Sequence, residues 1–154
     1  MKTITFKVPD DKKVIQTETD GTITIEFANK PKDWTEMETF EEFYEAADND
    51  AKIEYDQDNC QSVDGIAYSK LRLIIRIANT DKQTGKRWIP KSNEKKWFPV
   101  FNLSSGCGFD GSDYYCDHSL TGVGSRLCSR EKATSDIIAR KFISLYTDLV
   151  TIKN

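Results

Sequence analysis

The strongest structural signal in the chain is the segment Gly65-Ile66-Ala67-Tyr68-Ser69-Lys70-Leu71-Arg72-Leu73-Ile74-Ile75-Arg76-Ile77-Ala78-Asn79. Its apolar residues recur at intervals of three and four, as they do along the buried side of a helix. The basic residues Lys70, Arg72 and Arg76 occupy part of the remaining surface. The pattern predicts an amphipathic helix over residues 65–79, which has to bury its apolar side against other elements.

A second amphipathic helix is predicted over residues 130–149, where apolar residues repeat with the same period. A shorter, acidic helix is predicted over residues 39–48, because Thr39 and Glu42 have the spacing of a capping box. The polar residues 49–64 are predicted to form a loop. We expect the core to form from side chains of the two long helices and of one strand: Leu71, Ile74, Ile77, Phe101, Ile138, Phe142 and Tyr146.

Strands are predicted towards both ends of the chain. Residues 14–19 and 22–27 are rich in β-branched side chains and flank Asp20-Gly21, a dipeptide that favours a two-residue hairpin turn. Further strands are predicted at Trp97–Leu103, Tyr114–Leu120 and Val123–Cys128. Between them, Gly106–Gly111 matches the pattern G-x-G-x-x-G, but no helix follows to hold a pyrophosphate, so we interpret it as a flexible turn.

These elements predict an α+β fold in which an N-terminal β-hairpin and a small antiparallel sheet pack on two long helices. The chain has 154 residues, close to the usual size of one domain, and its 8 Phe, 6 Tyr and 3 Trp can form a core. We therefore predict a single domain over residues 1–154, with a β-hairpin region at 1–27, a helical region at 39–79, and strands plus a C-terminal helix at 97–150.

The net charge of −3 conceals a strong segregation of charge along the chain. Residues 33–58 carry eleven acidic residues and one basic residue, whereas residues 70–96 carry nine basic residues and two acidic ones. If the two segments lie on different faces, each face suits a partner of the opposite charge. The alternative is that the two segments neutralise each other across a solvated surface.

The acidic segment gives the first hypothesis on function, which is binding to a protein with a basic, nucleic-acid-binding groove. Its carboxylates would make charge-assisted contacts with lysine and arginine side chains of that partner. The candidate partner-binding residues are Glu38, Glu41, Glu42, Glu45, Asp48 and Asp50.

Residues 82–98 give the alternative hypothesis, which is nucleic-acid binding. Basic residues are interleaved there with Trp88, Trp97 and Phe98, which suits contact with phosphates and stacking on bases. The acidic net charge weighs against a dedicated nucleic-acid binder. The candidate residues are Lys86, Arg87, Trp88, Lys95, Lys96 and Trp97.

The cysteine and histidine residues do not form a recognisable catalytic or metal-binding motif. Cys107, Cys116, His118 and Cys128 have ligand types that suit zinc, but they lack the short C-x2-4-C spacing that fixes two ligands locally. A hydrolase would have to use His118, the only histidine, with Cys116, and no orienting carboxylate is evident nearby. We therefore predict no catalytic residues, no metal, no cofactor and no enzymatic activity.

Five segments of the chain form a recognisable order. They are Pro9–Phe27, Thr39-Phe40-Glu41-Glu42, Ala67–Ile75, Trp97-Phe98-Pro99-Val100-Phe101 and Gly124-Ser125-Arg126-Leu127. This order resembles a family of small proteins from phages and prophages of Bacteroidetes bacteria. The resemblance covers most of the chain, and the basic residues 82–96 depart from it. It implies a phage origin and expression in the host bacterial cytoplasm, in keeping with an N-terminus that lacks the apolar run of a signal peptide. It implies no activity; with the acidic segment, it suggests a host protein as the partner and an anti-defence inhibitor of the anti-CRISPR kind as the function.

Overall fold

The structure is a computed structural model that describes residues 5, 7–10, 12–30, 32–58, 60–91, 93–104, 107–115 and 127–151. The chain combines antiparallel β-hairpins with helices, so the predicted α+β class is confirmed. The chain divides into two compact units, Met1–Asp33 and Trp34–Asn154, each defined by the contacts among its own residues. Among the described residues, no helix is both long enough and apolar enough to cross a membrane.

The first unit contains an antiparallel hairpin of strands β1 (Lys12–Thr19) and β2 (Thr22–Asn29). Thr19 pairs with Thr22, so the strands are joined by a two-residue turn. Asp20 has a φ of 51° and Gly21 a φ of 75°, as a type I′ turn requires at its two central positions. The hairpin predicted from Asp20-Gly21 is confirmed.

Gly21→Ala is expected to destabilise this hairpin by about 1 kcal/mol, because alanine is strained at a positive φ. Beyond the two neighbouring residues, no described atom lies within 4 Å of the added Cβ, so the effect comes from the backbone conformation. Amide hydrogen exchange in β1 and β2 should become about fivefold faster. Asp20→Asn is the control, since asparagine tolerates the same conformation and should leave exchange unchanged. Equal exchange in Gly21→Ala and the original protein would contradict this account of the turn.

The second unit contains the helices. They are a short 3-10 helix (Trp34–Glu36), α1 (Phe40–Ala46), α2 (Asn49–Asp56), α3 (Val63–Ala78), α4 (Lys132–Lys141) and α5 (Ile143–Val150). The predicted capping box is confirmed at the start of α1, where Thr39 accepts a hydrogen bond from the Glu42 amide and the Glu42 carboxylate accepts one from the Thr39 amide. The Ser62 side chain caps α3 in the same way by accepting from the Gly65 amide.

Strands β3 (Lys96–Asn102) and β4 (Gly108–Tyr115) form an antiparallel pair in the second unit. The strand predicted at 97–103 is confirmed, with a bulge between Val100 and Phe101. The interpretation of Gly106–Gly111 as a turn is wrong for its described part beyond Cys107, because Gly108 to Gly111 belong to β4. Pairing with β3 and the contact of Phe109 with Phe101, at 5.9 Å between ring centroids, override the weak strand propensity of glycine. Residues 116–126, which hold most of the last two predicted strands, lie outside the described residues.

The core of the second unit lies between α1, α3, α4 and α5. The predicted core residues Leu71, Ile74, Ile138, Phe142 and Tyr146 are buried, whereas Ile77 and Phe101 pack against them with part of their surface exposed. Phe43 of α1 is completely buried and meets the ring of Phe142 edge-on. The core is therefore built from α1 as well as from the two long amphipathic segments.

The single helix predicted over residues 130–149 is wrong, because Phe142 interrupts it with φ −115° and ψ 35° and separates α4 from α5. Two tertiary contacts fix this position. Phe142 is buried against Phe43, and the Lys141 ammonium donates to the carbonyl oxygens of Thr35 and Met37 and to Glu38. These contacts lie far away in the sequence, so the local helical period does not reveal the break.

The loop predicted at 49–64 is also wrong over its first half, where α2 forms. The Asp48 side chain starts this helix by accepting from the Ala51 amide at 2.7 Å. Ala51 is its only buried apolar residue. Tyr55 packs against the core with part of its surface exposed. One small buried side chain and one partly buried ring give α2 too little apolar periodicity to be predicted.

Candidate functional site

The acidic segment forms α1, α2 and the connections around them, and half of its predicted partner-binding residues are engaged within the molecule. Glu42 closes the capping box and also accepts from the Glu38 amide at 2.7 Å. The Glu38 carboxylate pairs with Lys141 at 2.6 Å. Asp48 caps α2 and pairs with Arg76 at 2.9 Å. Glu38, Glu42 and Asp48 therefore have structural roles.

Two arginines of the basic segment are also engaged, in an ionic network between α2 and α3. Arg72 pairs with Glu54 and, at 2.9 Å, with Asp58. Arg76 pairs with Glu54 at 2.8 Å and with Asp48. The two arginine side chains are only 13% and 15% exposed. The acidic and basic segments thus neutralise each other along this contact, as the alternative interpretation of the charge pattern expected.

The other side of α1 and α2 forms an acidic aromatic groove, which we define by Phe40, Tyr44, Tyr55 and the carboxylates of Glu41, Glu45 and Asp56. Phe40 and Tyr44 lie one helical turn apart on α1, and Tyr55 comes from α2. The Tyr55 ring centroid lies 5.0 Å from that of Phe40 and 5.8 Å from that of Tyr44. The three rings line an open groove of about 310 Å³, and the carboxylates surround it.

The charged side chains that line the groove are all acidic. The Tyr44 hydroxyl donates to both carboxylate oxygens of Asp56, at 3.0 and 3.1 Å, and this hydrogen bond raises the pKa of Tyr44. Burial raises the pKa of Tyr55, with a further contribution from the charges of Asp56 and Glu41. Both phenols therefore stay protonated near neutral pH and add no charge of their own to the groove.

Three of the predicted partner-binding carboxylates remain available. In the part of the chain that the structure describes, the side chains of Glu41, Glu45 and Asp50 form no hydrogen bond and no ion pair. All three residues are exposed. Glu41 and Glu45 belong to the groove, whereas Asp50 lies in the first turn of α2.

The predicted nucleic-acid residues are divided between exposed and engaged side chains. Lys86 and Arg87 are exposed on a turn that Asp81 stabilises by accepting from the Thr84 amide at 2.7 Å. This bond and others within the turn lower the pKa of Asp81. The Trp88 indole N–H donates to Glu94 at 3.1 Å.

The remaining three predicted nucleic-acid residues lie at or beside β3. Lys96 is buried, with 9% of its surface exposed. Trp97 is half-buried, and its ring lies 5.0 Å from that of Tyr114, over which the exposed Lys95 ammonium also sits at 4.4 Å. Both tryptophans and Lys96 are thus held by the fold, and three cations, Lys86, Arg87 and Lys95, are exposed.

The candidate zinc and hydrolase residues are only partly described, since Cys116 and His118 lie outside the described residues. Cys128 is buried, and burial raises the pKa of its thiol to about 11, so the thiol is neutral near pH 7. Cys107 is half-buried. No group of three or more His, Cys, Asp or Glu side chains that could hold a metal ion occurs among the described positions.

Comparisons with protein-family models, with curated proteins and with solved structures found no match to this chain. A binding role for this surface therefore rests on the geometry and charge of α1 and α2.

Sequence reasoning missed four residues of the groove, namely Phe40, Tyr44, Tyr55 and Asp56. The i, i+4 spacing of Phe40 and Tyr44 is visible in the sequence and indicates that the two rings share one side of a helix. Tyr55 and Asp56 join them only because α2 forms, and its apolar pattern is too weak to predict that helix.

Proposed function

We propose that this chain is a non-enzymatic phage accessory protein that binds a basic surface of a host protein in the bacterial cytoplasm. The basic surface that we propose as its target is the nucleic-acid-binding groove of a defence enzyme. The phage origin and the location rest on the sequence resemblance. The observation that supports the binding function is the set of exposed carboxylates of Glu41, Glu45 and Asp50, which have no partner among the described residues.

Two features of α1 and α2 favour a basic protein partner. The carboxylates can accept charge-assisted hydrogen bonds from lysine and arginine side chains, and their summed field speeds the encounter with a positively charged surface. The arginines that could neutralise this side of the molecule, Arg72 and Arg76, are already paired with Glu54, Asp58 and Asp48. Lys52 and Lys70 lie over the rings of Tyr44 and Phe40. In the described part of the chain they form no ion pair with Glu41, Glu45 or Asp50, so these three carboxylates are available to another molecule.

The test is an affinity pull-down of the tagged chain from host lysate, with and without nuclease. We expect a protein that stays bound after nuclease and is lost from the variant Glu41→Lys/Glu45→Lys/Asp50→Lys. The matched control is Glu18→Lys/Glu26→Lys/Asp110→Lys, which reverses three exposed carboxylates elsewhere. It should keep the partner, and circular dichroism should show that both variants fold. Equal capture by the two variants would refute the proposed surface.

A second candidate function is nucleic-acid binding by exposed basic side chains among residues 82–98. The observation that favours it is the exposure of Lys86, Arg87 and Lys95, whose charges are available for phosphate contacts. In the same pull-down it would give recovery of nucleic acid, or of proteins that disappear after nuclease treatment. Its affinity would fall steeply with salt.

A further inference from the structure

We propose that the acidic aromatic groove binds the guanidinium group of an arginine side chain of the protein partner. This inference rests on the proposed function and names the side chain that the groove recognises. Aromatic faces attract cations, and carboxylates accept their N–H donors. The rings of Phe40, Tyr44 and Tyr55 and the carboxylates around them thus favour the same kind of ligand for two separate physical reasons.

Cations of this chain already contact two of the three rings. The Lys70 ammonium lies 5.0 Å from the centroid of Phe40, and the Lys52 ammonium lies 5.6 Å from that of Tyr44. Lys52 also donates to the carbonyl oxygen of Glu45 at 3.1 Å, so the fold itself fixes its position. No lysine or arginine of the described residues lies over the ring of Tyr55. Tyr55 belongs to α2 and lines the open groove, so its ring is the one that a cation from a partner can cover.

The shape of the groove favours guanidinium over ammonium. A guanidinium group is flat, so it can stack on a ring while its N–H groups point outward in the same plane to carboxylates. The carboxylates here come from both helices, Glu41 and Glu45 from α1 and Asp56 from α2. An ammonium group is compact and strongly hydrated, so it gains less from a groove of about 310 Å³ that has carboxylates on two sides.

The opposite side of α2 shows the same pairing within the chain. There, Glu54 and Asp58 accept hydrogen bonds from the guanidinium groups of Arg72 and Arg76. Asp56 lies on the groove side and accepts only from the Tyr44 hydroxyl among the described donors. An arginine of a partner protein would donate to the carboxylates on the groove side of α2, as Arg72 and Arg76 of α3 donate to Glu54 and Asp58 on the opposite side.

The test uses small probes and the full chain. N-acetyl-arginine N-methylamide is titrated against the protein, and the ring resonances of Phe40, Tyr44 and Tyr55 are followed by NMR. We expect saturable shifts with an apparent Kd on the order of 1–10 mM, because one stacked ion pair contributes about 3–4 kcal/mol at most. The lysine analogue should bind at least about threefold more weakly, and the uncharged citrulline analogue should not saturate. Equal responses to arginine and citrulline, or no saturable shift with arginine, would overturn the assignment.

Variants of the groove sharpen the test. Glu45→Gln should weaken binding of the arginine probe about three- to tenfold, because it removes one charged acceptor. Tyr55→Phe should keep most of the affinity, whereas Tyr55→Leu, which removes the ring, should lose it. Asp110→Asn is the control, since Asp110 is exposed, lies outside the groove and is not one of the proposed partner-binding residues, so its loss should not change binding of the probe. An equal effect of Glu45→Gln and Asp110→Asn would reduce the binding to general charge attraction and refute the site.

The two proposals can fail separately. If the arginine probe does not bind but the triple charge reversal still abolishes capture of the host protein, the groove assignment is wrong and the binding function stands. If the probe binds and the pull-down recovers no protein, the groove assignment stands and the proposed function is wrong.

Discussion

Phe43→Ala is expected to lower the free energy of unfolding by about 3–5 kcal/mol, the largest effect of any change considered for this chain. The Phe43 ring is completely buried, and its centroid lies 5.5 Å from that of Phe142 in an edge-on arrangement. Removing it leaves a cavity between α1 and the C-terminal helices, and it also removes an aromatic pair that contributes about 0.5–1.5 kcal/mol. Urea unfolding should show the loss as a lower midpoint with an unchanged slope.

Two further variants make this measurement decisive. Phe43→Leu keeps most of the apolar volume, so it should cost about 1–1.5 kcal/mol and stay measurable even if Phe43→Ala does not fold. Ile89→Ala is the control, because Ile89 is 72% exposed and should change stability by no more than about 0.5 kcal/mol. A loss below about 1 kcal/mol in Phe43→Ala would show that this ring does not lie at the centre of the core.

The elements that could be predicted from the sequence are those with local causes. The helix α3 follows from its own apolar period and the hairpin from Asp20-Gly21, because each signal lies within a few residues of the structure that it produces. The capping box of Thr39 and Glu42 is local in the same sense. Each of these signals is contained in a short window of sequence, which is why the three predictions are confirmed.

The elements that could not be predicted depend on contacts between distant residues. The break at Phe142, between α4 and α5, depends on the contact of Phe142 with Phe43 and on the hydrogen bond from Lys141 to Thr35. Phe43 and Thr35 lie about a hundred positions earlier in the chain. The helix α2 depends on Arg72 and Arg76 of α3, which neutralise its carboxylates. Periodicity within a window of sequence carries no information on either contact.

The same limit applies to the candidate site. The sequence shows that residues 33–58 are acidic, but it cannot show which carboxylates are paired. Glu38 looks as available as Glu41 in the sequence, and only the fold brings Lys141 to it. The groove likewise forms only when Tyr55 lies beside Phe40. The helix α2 places it there, whereas the sequence predicts a loop over residues 49–64.

Arg72→Met is expected to lower the free energy of unfolding by about 1–3 kcal/mol, the second-largest effect. The guanidinium group donates to Glu54 and Asp58, and the side chain is only 13% exposed. Methionine keeps much of the apolar stem, but among the described residues it leaves Asp58 with the Ser69 hydroxyl, at 2.8 Å, as its remaining side-chain donor. The two carboxylates then repel each other with less compensation. Urea unfolding at low and moderate salt measures the loss, and salt should screen it only partly because the pair is half-buried.

The matched control for this prediction is Arg87→Met, which removes the same charge from a cleft that Arg72 and Arg87 both line. Arg87 is exposed and makes no hydrogen bond or ion pair through its side chain to any described residue, so its loss should change stability by no more than about 0.5 kcal/mol. Arg72→Met/Asp58→Asn should recover part of the stability lost in Arg72→Met, because it removes a carboxylate that lost its cation. If Arg72→Met cost no more than Arg87→Met, the contact between α2 and α3 would depend on Ala51 and its neighbours rather than on the ionic network. The two charged segments would then lie beside each other without stabilising the fold.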